Sequence, residues 1–193
     1  MDERIMQIVE RLRTRKPLQS LSPNRIWDEA LDQEIAAIRL PNADTAEAIA
    51  LKAGLHLWND SLDISHSYAQ LIEHDPTGGY WHGLMHRMER DYSNAKYWFR
   101  QAGAHPVMDR LQQRASSWLR AEANLEQLPE GEIREMLEAV TKQGRWNSAA
   151  FTDGIARQEQ RRGSDTSRQL LEELQHMELT ELVAYTLDAA KGR

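Results

Sequence analysis

Apolar residues along this chain recur every three or four positions and almost nowhere at every second one, which is the period of helices and not of strands. Ile5, Ile8, Val9 and Leu12 share one face of a helix predicted over residues 2–15, from Asp2 to just before Pro17. Ser22-Pro23 reads as the next helix start, with Ser accepting from orphan N–H groups and Pro in the first helical position. That helix presents Ile26, Trp27, Ala30 and Ile35, and Pro41 closes the unit. Asp44 or Thr45 caps a long helix over 45–73, kinked near Gly54 or Asp60. Asp75-Pro76-Thr77-Gly78-Gly79 breaks the chain, and helices over 80–90, 93–102, 106–128, 132–142, 148–161 and 165–190 follow. No alternating run rich in Val, Ile and Thr occurs, and no Asn-Gly or Asp-Gly turn. The expected fold is all-α, a helical bundle or irregular array of about eight helices. It forms one domain over 1–193, with 1–43 as an N-terminal helical extension.

The polar positions of the long helix carry more information than its apolar ones. Leu51, Leu55, Trp58 and Leu62 form one apolar face, and Leu57, Ile64, Tyr68 and Leu71 a second. Between them runs a stripe of Lys52, His56, Asn59, Asp60, Asp63 and His66, which is expected to look into a cleft or a polar core. After the diglycine turn, His82, His86 and Glu89 form a row at i, i+4 and i+7, matching the spacing of His56, Asp60 and Asp63. Helices joined by a tight turn pack antiparallel, so the two rows are placed to converge. Imidazole and carboxylate donors on facing helices are the ligands of metal sites in helical proteins. His56, Asp60, His82 and His86 are the expected metal ligands, for zinc, manganese, iron or nickel. Asp63 or Glu89 would serve as general base, and Arg87 would hold an anionic substrate. The commoner fate of such a stripe is a buried network in which His donates to Asp. His66 is a weaker candidate that joins the stripe or supports a ligand, while His74 suits a helix C-terminus and His105 a loop. Thr77-Gly78-Gly79 could present backbone N–H groups to an anion, with Arg87, Lys96 and Arg100 as countercharge, although a capped turn is the more ordinary reading.

Composition narrows the field. The chain has no cysteine, which excludes disulfides, thiolate metal sites and a cysteine nucleophile. Its net charge is −6, from 24 Lys+Arg against 30 Asp+Glu, and the basic residues are dispersed. The basic stripe that a nucleic-acid partner requires is missing. No apolar run approaches the ~18 residues of a membrane span, and the N-terminus MDERIMQIVERLRTRK lacks the apolar core of a signal peptide. These features predict a cytoplasmic protein whose partner is a small-molecule or anionic substrate, or another protein.

The segment Tyr80-Trp81-His82-Gly83-Leu84-Met85-His86-Arg87, followed by Asn94-Ala95-Lys96-Tyr97-Trp98, resembles an uncharacterised bacterial family of helical proteins. The likeness covers Leu57 to Pro106, with a looser echo in the final helix, and implies no established activity. The same stretch is similar to one tetratricopeptide-type hairpin, with Gly83, Tyr92, Ala95, Phe99, Ala102 and Pro106 near the packing positions of that repeat. It departs from the pattern in having His82 and His86 at packing positions and Pro106 one residue early, and no second copy stands at a 34-residue period. Two functions are therefore expected to compete: a metal-dependent enzyme of hydrolase type, and a non-catalytic helical interaction module.

Overall fold

The computed structural model describes residues 3–40 and 42–191, so Asp2 and Pro41, the expected ends of two helices, lie outside it. The chain forms α1 (Glu3–Arg13), α2 (Glu29–Ala36), α3 (Ala46–Trp58), α4 (Leu62–Gln70), α5 (Pro76–Met88) and α6 (Tyr92–Ala102). These are followed by α7 (Val107–Glu122), α8 (Glu132–Lys142), α9 (Ser148–Arg157) and α10 (Asp165–Ala190). A 3₁₀ turn at Leu125–Gln127 and a π-helical turn at Gln158–Arg162 complete the helical structure, and no strand occurs among the described residues. The fold is an all-α array, as its periodicity predicts. None of its described helices is long and apolar enough to cross a membrane.

The described residues form ten α-helices rather than about eight, chiefly because the long helix expected over 45–73 is two. α3 ends at Trp58, and Asp60 takes the left-handed conformation with φ 65°. The Asp60 N–H reaches back to the Leu57 carbonyl at 3.0 Å and the Ser61 N–H to that of His56 at 2.9 Å, the two bonds of a Schellman turn. The chain then reverses into α4. The second helix also differs from expectation. Asp28, not Ser22, caps it by accepting from the Leu31 N–H, and α2 begins at Glu29.

Thirty positions on, the same design recurs. α5, like α3, has 13 residues and ends at Met88 where α3 ends at Trp58. Arg90, at φ 67°, takes the place of Asp60. Its N–H bonds the Arg87 carbonyl at 3.1 Å, and the Asp91 N–H bonds that of His86 at 2.9 Å. Asp91 then caps α6 as Ser61 precedes α4. The segment therefore contains two successive helical hairpins, α3–α4 and α5–α6, with first helices of equal length and matching turn geometry. Close packing holds them. A Cβ on Gly83 would meet the Phe99 ring at 2.8 Å, and one on Gly54 would collide with the Trp81 ring, so each glycine admits an aromatic side chain against helix backbone.

The 26-residue helix α10 packs against α3 and α7, with Leu171, Leu174, Leu179 and Leu182 fully buried. α1 contributes Ile5, Ile8 and Leu12 to the same continuous apolar core. Across the core, the Arg87 side chain on α5 meets Glu178 on α10, Nη2 to Oε2 at 2.7 Å, with both side chains wholly buried. Glu178 Oε1 also accepts from the Tyr80 hydroxyl at 2.7 Å and from the Trp146 indole N–H at 3.0 Å. Burial and the neighbouring Glu178 carboxylate raise the Tyr80 phenol well above its ordinary range, so it remains a donor.

Candidate metal centre

α4 and α5 run antiparallel through the tight connection at 71–75, and the histidines that meet between them are His66, His82 and His86. His82 and His86, one turn apart on α5, stack with ring centroids 4.8 Å apart and planes 16° apart. The His66 ring on α4 stands across both, 4.8 Å from His82 and 5.2 Å from His86, tilted by 58° and 71°. One nitrogen from each ring lies within 4.8 Å of the others. A single zinc ion bonded at 2.0–2.1 Å needs them about 3.4 Å apart, closer than the 4.8 Å within which they lie here.

The surroundings favour the neutral form of His82 and His86. Burial, together with His86 and His66 close by, holds His82 down to about 3. Burial also lowers His86, against an opposing pull from Glu89. Neutral imidazole is the form that binds metal. His82 is sealed on one face by Trp98 of α6, stacked at 4.0 Å and 14°, and its Nδ1 is buried without a hydrogen-bond partner. His86 is held from two sides. Asn94 Nδ2 lies 3.0 Å from its Nε2, and Glu89 Oε2 lies 3.3 Å from its Nδ1. Nε2 is thus occupied by Asn94, whereas Nδ1 is buried without a hydrogen bond and is the nitrogen left for an ion.

His56 and Asp60 do not join this centre. The Schellman turns make His56 and His86 equivalent residues of the two hairpins, but His56 engages Asp32 of α2 and is not among the three clustered histidines. His56 is fully buried, with Nδ1 2.7 Å from Asp32 of α2 and its ring stacked on Tyr68 at 5.7 Å. Asn59 and Ser61 donate to the same Asp32 carboxylate at 3.3 Å each. Burial lowers His56 despite the Asp32 carboxylate. Asp60 is buried in an ion pair with Arg15, Oδ2 to Nη2 at 2.8 Å, and also accepts from Gln19 at 2.5 Å. This half of the polar stripe is thus the buried hydrogen-bonded network that the sequence left open as the ordinary alternative. Arg87, expected to hold a substrate, is spent on Glu178 in the core and reaches no cleft. Thr77 and Gly78 lie in the first turn of α5, where their N–H groups bond the Asp75 carboxylate at 2.8 and 3.1 Å and are closed to an anion.

Glu89 and Asp63 sit where a substrate could reach them. Both line a cleft of about 800 Å³ bounded by the 22–26 loop, the start of α4 and the end of α5. Asp63 is exposed one turn before His66, and Glu89 one turn after His86, while the three histidines themselves do not line the cleft. No family model, curated protein or solved structure matches this chain. The site is therefore read from its own chemistry. His66, which spacing alone ranked as the weaker candidate, is the α4 histidine that meets His82 and His86. Its signal, a histidine near the middle of the helix packed against the His82–His86 row, becomes decisive only once that helix is known to end at Asp60 and restart.

Proposed function

We propose that this chain is a metal-dependent protein of hydrolase type, with His66, His82 and His86 as the ligands of one divalent ion, zinc foremost and manganese, iron or nickel as alternatives. The observation that carries the reading is the cluster of three imidazoles, with one nitrogen of each within 4.8 Å of the others, in which His82 and His86 each keep a buried Nδ1 without a hydrogen-bond partner. An orphaned buried polar atom calls for a partner, and a metal ion is one that three lone pairs can share. Three protein ligands with an open position is the arrangement of catalytic rather than structural zinc. A bound ion would lower the pKa of a water molecule enough to make it a nucleophile near neutral pH. Glu89, 3.3 Å from His86 and lining the cleft, is the nearest general base. Asp63 contributes charge to the same opening.

The test is elemental analysis of untagged protein purified without chelator, alongside His66→Ala, His82→Ala and His86→Ala. One equivalent of a single transition metal in the parent, lost in all three variants, supports the centre. Metal content that survives these substitutions removes it. A hydrolase screen of amide, carboxylic ester and phosphoester substrates, with and without chelator, then separates a catalytic ion from a structural one.

A second reading, a helical interaction module, draws on the tandem hairpins. Arrays of such hairpins offer extended surfaces to protein partners. Here the α3–α5 side is covered by α10, which leaves the outward side of α4 and α6, where Leu71 is 69% and Tyr97 45% exposed. On this reading Leu71→Asp abolishes partner binding and leaves metal content unchanged.

A further inference from the structure

Five charged side chains line the cleft beside the histidines, and they are not equally available. Asp60 is neutralised by Arg15 and Arg90 is paired with Glu159 at 2.6 Å. Glu89 leans on His86. Arg25, on the 22–26 loop, and Asp63, on the first turn of α4, are exposed and make no hydrogen bond or ion pair, with each other or with any neighbour. Opposite charges that share a cleft without meeting leave a gap for a ligand carrying both signs. A simple anion would be attracted by Arg25 but repelled by Asp63 and Glu89, and a simple cation would face the converse. The volume, about 800 Å³, lies within the range of small-ligand sites.

We propose that this cleft binds a small zwitterion, an amino acid or short peptide, with its carboxylate on Arg25 and its ammonium on Asp63. The guanidinium fork suits a carboxylate through two parallel hydrogen bonds. Asp63 and Glu89 stand one turn from His66 and His86, but none of the three histidines lines the cleft, so the proposal concerns binding alone and is measurable without metal.

The experiment is titration calorimetry of the chelator-treated full chain with alanyl-alanine, its N-acetyl derivative, its C-terminal amide and inorganic phosphate. The dipeptide is expected to bind, and each capped form to bind about tenfold more weakly, the effect of one lost charge contact near 1.4 kcal/mol. Arg25→Gln should erase the difference between dipeptide and amide. Asp63→Asn should erase the difference between dipeptide and N-acetyl form. Both residues are exposed and unpartnered, so folding and metal stoichiometry should be unchanged in the variants. Preferential binding of phosphate, binding indifferent to both substitutions, or no dipeptide binding would overturn the proposal. Dipeptide binding that follows this pattern in a protein that holds no metal would support the cleft and remove the metal centre alone.

Discussion

His56 and His82 show how one residue type takes different surroundings on neighbouring helices. Each leaves one ring nitrogen buried without a hydrogen bond, but His56 has a carboxylate partner in Asp32 and a ring partner in Tyr68, whereas His82 has two imidazole neighbours. Substitution should separate them. His56→Ala leaves the buried Asp32 short of a hydrogen bond and opens a cavity, at about 2–4 kcal/mol, while metal content stays at the parent value. His82→Ala should lose the metal with a smaller effect on apo-protein stability. Chemical denaturation with parallel metal analysis checks both, and a His56→Ala protein lacking metal would contradict the assignment. Arg87 offers a sharper stability test. Removing it strands Glu178 in the core, so Arg87→Ala should cost about 3–5 kcal/mol. Replacing both partners by apolar residues of similar volume, Arg87→Met with Glu178→Leu, should recover part of that loss, although the Tyr80 and Trp146 donors then lack their acceptor. A double variant no more stable than Arg87→Ala would mean the network matters as a whole and not as a pair.

At the scale of elements, the two Schellman turns decide where helices stop, and each places a non-glycine residue at positive φ. The left-handed conformation costs roughly 1 kcal/mol or more for such a residue. Arg90 is largely exposed, and its partner Glu159 retains Arg168 at 2.8 Å, so little is lost with its side chain. Arg90→Gly is therefore expected to stabilise the protein by about 0.5–1 kcal/mol in urea titration. Asp60→Gly relieves the same backbone strain but breaks a buried ion pair with Arg15, a loss of about 3–5 kcal/mol that outweighs the gain. Opposite signs at two equivalent turns are the expected outcome, and a matching sign would mean the Asp60–Arg15 pair contributes little. The split helix also explains why spacing misplaced the site. Counting at 100° per residue through Asp60 carries the His56 row onto α4, whereas the turn resets the phase and hands the facing position to His66.

For the whole molecule, acid sensitivity follows from histidines buried as neutral rings. His105, held against Thr77 at 3.2 Å and accepting from the Val107 N–H, is lowered by burial to about 4, and burial lowers His176 to about 4 as well. Their folded values lie below the unfolded value near 6.5, so the unfolded chain takes up protons first as pH falls. Their contribution is complete above about pH 6.5 and is lost between there and about pH 4. The thermal midpoint should be flat above neutrality and fall steeply through that window, and His105→Gln should flatten the slope. An unchanged slope would assign the acid sensitivity to other groups. The all-α class and most helices were legible from the 3.6-residue period and from Pro17, Pro76 and Pro106, because local periodicity and capping act within a few residues. The polar stripe was legible as a partly buried feature for the same reason. Tertiary structure alone decided which members of the stripe meet. Whether His56 joins His82 and His86 depends on a turn at Asp60 that no glycine announces, and on partners, Asp32, Arg15 and Glu178, that lie 24, 45 and 91 residues from the side chains they hold. Helix phase is set by neighbours in sequence, whereas the pairing of charges in a core is set by neighbours in space.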